Sequence, residues 1–173
     1  HPDAKLNLAV TLNGLGRQSE AESVFQQLLA NSPDAPDVLW NYSLNLLLQG
    51  RYEDGFRLYE SRWEGSPEIR RHKRTFSKPL WVGKESLANK TILIHAEQGL
   101  GDTIQFCRYI SRVKALGARV IFEVQPALLG LLSGLSGADT LLPRGQSLPT
   151  FDFHCPLLSL PWAFKTTLDT IPA

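Results

Sequence analysis

The sequence predicts an α+α/β chain, in which helical repeats are followed by a partial α/β domain with a parallel sheet. Residues recur at a spacing of 34 in the first third of the chain, and short apolar runs alternate with helix-like segments in the last half. Residues 1–69 hold five Lys/Arg against ten Asp/Glu, whereas residues 70–90 hold seven against one. Since a change in charge often marks a change in structure, we expect repeats over 1–67, a basic linker over 68–89 and the α/β part over 90–173.

The 173-residue chain has an ordinary globular composition, with 43% hydrophobic and 20% charged residues, which argues against disorder. The longest charge-free stretch, Val124 to Ala138, contains one proline and three glycines and is too short to span a membrane. Cys107 and Cys155 form neither a disulfide framework nor a zinc pattern, so we expect thiols in a reducing, cytoplasmic compartment and no metal. The chain begins with His1 and lacks methionine, and we expect a piece of a longer protein.

The repeat is defined by residue pairs that lie 34 positions apart. These pairs are Ala9 with Ser43, Leu12 with Leu46, Gly16 with Gly50, Arg17 with Arg51, Ala21 with Gly55, Phe25 with Tyr59, and Pro33 with Pro67. The period is that of the tetratricopeptide repeat, a helix–turn–helix unit. The glycines are placed to end each first helix, the prolines to end each second helix, and the small residues to let paired helices approach closely.

Each repeat should bury its apolar residues along a seam between helices. The expected seam residues are Leu8, Leu12, Phe25 and Leu28 in one unit, and Tyr42, Leu46, Phe56 and Tyr59 in the next. Because a repeat buries its faces against its neighbours, either further repeats precede His1 or another segment caps the stack. The repeats either bind a protein or peptide on a concave surface or serve as a spacer for the next domain.

The linker is rich in basic residues, namely Arg70, Arg71, Lys73, Arg74 and Lys78. Such a run is typical either of a surface patch that binds phosphate or nucleic acid, or of a solvated connecting segment that faces the acidic repeats. We favour the connection, because aromatic residues for base stacking are few and no nucleic-acid-binding motif accompanies them. Neither nucleic acid nor a membrane is expected as a partner.

The α/β part alternates strands with helices. The predicted strands are 91–95, 119–124, 139–142 and 151–155. Asp102 is the expected N-cap of the first helix, which carries Ile104, Cys107, Ile110, Val113 and Leu116 at helical spacing and runs through Ala115 to Gly117. A second helix should run from Pro126 to about Leu135. This alternation predicts right-handed crossovers and a parallel sheet.

The turn of residues 96–102 follows the first predicted strand. Ligands of parallel sheets bind outside the carboxyl ends of the strands, which places this turn and His154 beside one crevice. The turn has two glycines, Gly99 and Gly101, and lacks the full dinucleotide or phosphate-loop motif. It is either a ligand-binding turn, with backbone N–H groups facing an anion, or a tight connection between strand and helix.

Four blocks of sequence resemble a known family. They are residues 56–63, 78–83, 93–109 and 151–161, of which the block 93–109, Leu-Ile-His-Ala-Glu-Gln-Gly-Leu-Gly-Asp-Thr-Ile-Gln-Phe-Cys-Arg-Tyr, is the most specific. Together they resemble the bacterial tetratricopeptide-repeat glycosyltransferase-like proteins, often described as protein O-linked N-acetylglucosamine transferases, over almost the whole chain. The α/β part is similar to the lipopolysaccharide heptosyltransferases, which have the GT-B fold of two facing Rossmann-like domains.

The resemblance implies inverting transfer of a sugar from a nucleotide-sugar donor to an acceptor hydroxyl, without a further cofactor. Leu100-Gly101-Asp102 matches a motif whose aspartate is the proposed catalytic base, so Asp102 is the expected base, a purely structural N-cap being the alternative. The expected substrate-binding residues are His95, Gln98, Gly99, Gly101, Gln105 and His154, with Glu97 as a further polar candidate. Each histidine either orients the acceptor or is a hydrogen-bonded structural residue.

The resemblance also implies that a second domain is needed for activity. In GT-B enzymes the C-terminal Rossmann-like domain holds most of the nucleotide-sugar, and the α/β part of this chain resembles the N-terminal one. We therefore expect a glycosyltransferase as the parent protein and no transfer by the 173-residue chain alone. The alternative function is a non-catalytic protein–protein interaction scaffold built on the repeats.

Overall fold

The computed structural model describes all residues, His1–Ala173, and the chain forms two compact units. Residues 1–73 and 166–170 make up the first unit, and residues 74–165 and 171–173 the second. Helices occur in both units, and a parallel four-stranded sheet lies in the second, which confirms the mixed α and α/β character. None of the helices has the length and apolar character needed to cross a membrane.

The first unit is helical. Its helices are α1 (Pro2–Gly14), α2 (Gln18–Asn31), α3 (Pro36–Leu48), α4 (Tyr52–Tyr59), α5 (Arg62–Gly65) and α6 (Pro67–Arg70). Gly16 and Gly50 follow α1 and α3 with φ of +76° and +75°, the left-handed conformation that commonly ends a helix. The expected role of Pro67 is wrong: α4 ends earlier, at Tyr59, and Pro67 begins α6, where its missing N–H costs no hydrogen bond.

The core of the first unit follows the 34-residue register closely. Ala9, Ala21 and Ser43 are fully buried, and a Cβ on Gly55 would lie 2.7 Å from Leu47 Cδ2. These small residues therefore let the helices approach, as expected. Of the expected seam, Phe56 is only half-buried and Leu8 is 50% exposed, whereas the other six residues are buried.

The second unit is built on four parallel strands. They are β1 (Thr91–His95), β2 (Arg119–Val124), β3 (Thr140–Pro143) and β4 (Phe153–Pro156), in the order β3-β2-β1-β4. The predicted parallel sheet is confirmed, with strand ends shifted by one or two residues in β3 and β4. Residues 79–81 lie along the outer edge of β4, where Trp81 N–H donates to His154 O at 2.8 Å and His154 N–H donates to Pro79 O at 3.1 Å.

The helices of the second unit are shorter than expected. They are α7 (Leu100–Phe106), α8 (Ile110–Ala115), α9 (Leu129–Leu132) and α10 (Leu160–Ala163). A 3₁₀ turn, Cys107–Tyr109, separates α7 from α8. A 3₁₀ helix has three residues per turn rather than 3.6, so residues before and after it no longer lie on the same face at the predicted spacing. Ile110 and Val113 are buried, whereas Ile104 is 46% exposed. The helix predicted to reach Leu135 ends at Leu132.

Candidate functional site

The turn between β1 and α7 is held by a side chain from the neighbouring strand. Gln125 follows β2, and its Nε2 donates to Gln98 O at 2.8 Å and to Gly99 O at 3.3 Å. Thr103 Oγ1, on α7, donates to Gln125 Oε1 at 2.9 Å. The carboxyl ends of β1 and β2 thus share one polar network. Gln125 was missed at the level of sequence, where a single glutamine after a strand carries no distinguishing signal.

Asp102 is the third residue of α7, not its N-cap as expected. Gly99 is the N-cap, and its N–H donates to Asp102 Oδ2 at 2.9 Å. This is the single hydrogen bond of the half-buried Asp102 side chain, so one carboxylate oxygen is fixed and the other has no hydrogen-bond partner in the protein. A carboxylate oriented in this way can accept a proton from a hydroxyl placed beside it.

The remaining predicted residues of the turn differ in their surroundings. A Cβ on Gly99 would lie 3.2 Å from Asp102 Oδ2, so the glycine allows the close approach of that carboxylate. Gly101 and Gln105 are exposed on α7, and nothing lies within 4 Å of a Cβ placed on Gly101. Gln98 is half-buried and contributes its carbonyl to the network with Gln125. Glu97 is buried and its Oε1 accepts from Leu158 N–H at 3.2 Å, which gives it a structural contact.

The two predicted histidines are brought together on one face of the sheet. His154 pairs with Leu93 in the register of β4 and β1, and His95 lies two residues further along β1, so their side chains share a face. Their ring centroids are 5.7 Å apart. Phe76 packs against both, at 5.2 Å from His95 and 4.6 Å from His154. Both histidines are therefore in contact with Phe76, an aromatic residue of the predicted basic linker, residues 68–89, which we call the basic segment.

A buried ion pair completes this face. Arg74 Nη1 donates to Glu123 Oε2, with Glu123 1% exposed and the Arg74 side chain 26% exposed. The Arg74 guanidinium also lies over the Phe76 ring, 4.8 Å from its centroid. Glu123 was missed, although a carboxylate inside the apolar run Val120 to Val124 is a usable signal, because buried charges are normally paired.

The basic segment therefore has two kinds of contact. Lys73 Nζ lies 2.7 Å from Glu64 Oε1 within the first unit, whereas Arg74 belongs to the second unit and contacts its sheet. Arg70, Arg71 and Lys78 are exposed. One acidic residue of the first unit, Glu64, is thus a partner of this segment.

Burial and charge act on His154 in the same direction. Its pKa lies below the ordinary value of 6.5, first because burial penalises the charged imidazolium and second because Arg74 is positive. The folded protein therefore binds a proton at His154 less readily than the unfolded chain does. The stability that depends on a neutral His154 is fully present above pH 6.5, the ordinary pKa of histidine. As the pH falls below this value, the unfolded chain gains a proton at His154 more readily than the folded protein, so the free energy of unfolding decreases.

We expect the free energy of unfolding, measured by urea titration, to fall between about pH 7.5 and about pH 5.5. His154→Gln should show a smaller fall, because the variant has no imidazole to protonate on unfolding. His72→Gln, which changes an exposed histidine, should keep the full fall. Equal losses in wild type and His154→Gln would show that His154 is not the responsible group.

No cluster of three or more His, Cys, Asp or Glu side chains is arranged to hold a metal ion. The chain matches no protein-family model, no curated protein and no solved structure.

Proposed function

We propose that this chain forms the acceptor side of a sugar-transferring protein: tetratricopeptide-type repeats followed by the N-terminal part of a Rossmann-like GT-B module. The strand order β3-β2-β1-β4 supports the second assignment, because it is the order at the centre of doubly wound nucleotide-binding sheets. The 34-residue register of buried small and aromatic residues supports the first. In such sheets the ligand lies beyond the carboxyl ends of the strands, on the side where α7 begins.

The observation that carries the proposal is the position of Asp102. It lies at the start of α7, directly beyond the carboxyl end of β1, with Oδ2 fixed by Gly99 N–H and the other oxygen without a protein partner. An acceptor hydroxyl that donates to this free oxygen would lose its proton to Asp102 as its own oxygen attacks the anomeric carbon of the donor sugar. The bond from that carbon to the nucleotide diphosphate breaks, the diphosphate leaves with the electron pair, and configuration inverts.

The other candidate residues have supporting roles in this proposal. The turn of Gln98, Gly99 and Gly101, together with Gln105, lines the approach to Asp102, and Gln125 keeps the turn in place. His95 and His154 are packed against Phe76 and shape the neighbouring sheet face. The helical unit presents an acceptor protein or peptide, and the two free cysteines suit a reducing, cytoplasmic compartment.

The decisive variant is Asp102→Asn, assayed in a polypeptide that joins this chain to a donor-binding α/β domain. The asparagine side-chain oxygen still accepts from Gly99 N–H, so α7 keeps its cap, but the amide cannot take a proton. We expect kcat for sugar transfer to fall by about 100-fold or more, with an unchanged thermal midpoint. Asp169→Asn, at an exposed carboxylate, is the matched control and should keep full turnover.

A non-catalytic scaffold is the second candidate, and one observation favours it. The bond from Gly99 N–H to Asp102 Oδ2 is one that a structural carboxylate near a helix N-terminus makes without any chemistry. If Asp102→Asn leaves turnover unchanged, Asp102 is such a structural residue. The scaffold function itself requires that no sugar is transferred by the joined wild-type polypeptide.

A further inference from the structure

A short stretch of the basic segment packs against one face of the sheet. We call this stretch, residues 74–76, the strap. Its arginine forms the ion pair with Glu123, and its phenylalanine packs on His95 and His154. Glu123 is the register partner of His95, so its side chain lies on the same face as the two histidines. The strap therefore contacts three ionisable side chains of one sheet face.

Side chains hold the strap in place. Residues 74–76 make no backbone–backbone hydrogen bond, and Thr75 is exposed. The Arg74 guanidinium lies 4.8 Å from the centroid of the Phe76 ring, and the same ring meets Phe151 edge-on at 5.7 Å. Segments with few backbone hydrogen bonds open at a lower free energy than the whole fold. The strap can therefore move while the sheet stays folded.

The surroundings of His154 favour its neutral form. Its Nδ1 is enclosed by protein and has no hydrogen-bond partner. An imidazolium carries a proton on both ring nitrogens, so protonation would leave a buried N–H donor without an acceptor, which is costly. Burial first and the positive Arg74 second lower the pKa of this histidine, which agrees with the geometry. A charged His154 therefore disfavours the closed strap.

No carboxylate is available to compensate a charge on His154 in the closed strap. The charged or titratable groups on the segments that flank it are Arg74 and Lys78 of the basic segment, His95 on β1, Glu123 on β2 and Asp152 ahead of β4. Glu123 is paired with Arg74. Asp152 is exposed, and its Oδ2 accepts from Thr91 N–H at 2.8 Å. A proton on His154 thus adds a second positive charge beside Arg74.

We propose that the strap is an acid-operated cover of this sheet face: when His154 gains a proton, Arg74 leaves its ion pair and the Phe76 ring leaves both histidines, while the sheet stays folded. In the open state water solvates Glu123 and supplies the acceptor that His154 Nδ1–H lacks in the closed state. The strap is closed at neutral pH and opens as the pH falls below 6.5. Opening removes the ring from His95, at the carboxyl end of β1. The proposal stands independently of sugar transfer.

Proton NMR of the full chain follows the strap and His154 separately. Nuclear Overhauser contacts between the Phe76 ring and the imidazoles of His95 and His154 report the closed strap, and the imidazole shifts of His154 report its protonation. We expect the contacts at about pH 7.5 to weaken by about fivefold or more at about pH 5, with the midpoint of the His154 titration. The amides of β1 and β2 should stay protected from exchange, because the sheet remains folded.

Two glutamine variants make the test specific to one histidine. His154→Gln removes the titrating group and should keep the contacts between Phe76 and His95 at about pH 5. His72→Gln, at an exposed histidine, should open as the wild type does. The proposal is overturned if the wild-type contacts persist after His154 is protonated, if the sheet amides lose protection together with the contacts, or if His154→Gln opens at the wild-type pH. The first two outcomes are measured on the wild-type chain and need no variant.

Discussion

Replacing Arg74 by methionine should lower the free energy of unfolding by about 3–5 kcal/mol. The substitution keeps most of the side-chain volume but leaves the Glu123 carboxylate, which is 1% exposed, without its cation. A buried carboxylate without a partner is costly because water no longer solvates it and no opposite charge replaces the water. Urea unfolding of the purified chain at neutral pH measures the loss.

A double-mutant cycle isolates the ion pair from other effects at this position. Adding Glu123→Leu to Arg74→Met removes the stranded charge, and the double variant should recover most of the lost stability. Arg71→Met, at an exposed arginine of the same basic segment, should change stability by less than about 0.5 kcal/mol. Additive losses in the cycle would contradict a buried, coupled pair.

Gly65→Ala should destabilise the helical unit by about 3 kcal/mol. A Cβ at this position would overlap the carbonyl oxygen of Pro36 and lie 2.8 Å from Trp40 Cβ. These atoms belong to α3, and the backbone of Pro36 cannot move without shifting that helix. The cost therefore comes from overpacking between α5 and α3 and should appear as a lower midpoint of thermal unfolding.

Gly130→Ala is the matched control for this substitution. Gly130 lies in α9, and nothing is found within 4 Å of a Cβ placed there. Alanine is the better helix former, so this variant should be neutral or more stable by up to about 1 kcal/mol. If Gly65→Ala were equally well tolerated, the close approach of α5 to α3 would be disproved.

The first two strands could be predicted from sequence because they are rich in apolar, β-branched residues and are separated by a helix-like segment. Thr91–His95 and Arg119–Val124 were located to the residue, and right-handed crossovers then require a parallel arrangement. The interruption between α7 and α8 could not be predicted in this way. An apolar period of three or four residues is compatible with a continuous helix, and only tertiary packing selects the 3₁₀ turn at Cys107–Tyr109.

In the helical unit, too, some features follow from the local sequence and others depend on tertiary packing. Gly16 and Gly50 mark helix ends because glycine readily adopts positive φ, and the buried small residues follow from the 34-residue period. Whether Leu8 is buried depends on a neighbouring helix, which local sequence does not reveal. The proposed limits of 1–67, 68–89 and 90–173 for repeats, linker and α/β part remain predictions.

The candidate site was predictable where residues follow one another along the chain. Gln98, Gly99 and Asp102 are close in sequence and joined in the structure. The Arg74–Glu123 pair links residues 49 positions apart, and a single sequence does not specify which cation meets a buried carboxylate. Asp102 lies inside α7 because Gly99 is the N-cap of this helix. The role of Asp102 as a base remains a proposal.

The most direct test of the account is a transfer assay with labelled nucleotide-sugar donors and protein or peptide acceptors. It compares the 173-residue chain alone with the same chain joined to a donor-binding α/β domain. We predict no transfer by the chain alone and measurable transfer by the joined polypeptide. Transfer by the chain alone, or none by the joined polypeptide with any donor, would contradict the proposal that this chain is the acceptor side of a sugar-transferring protein.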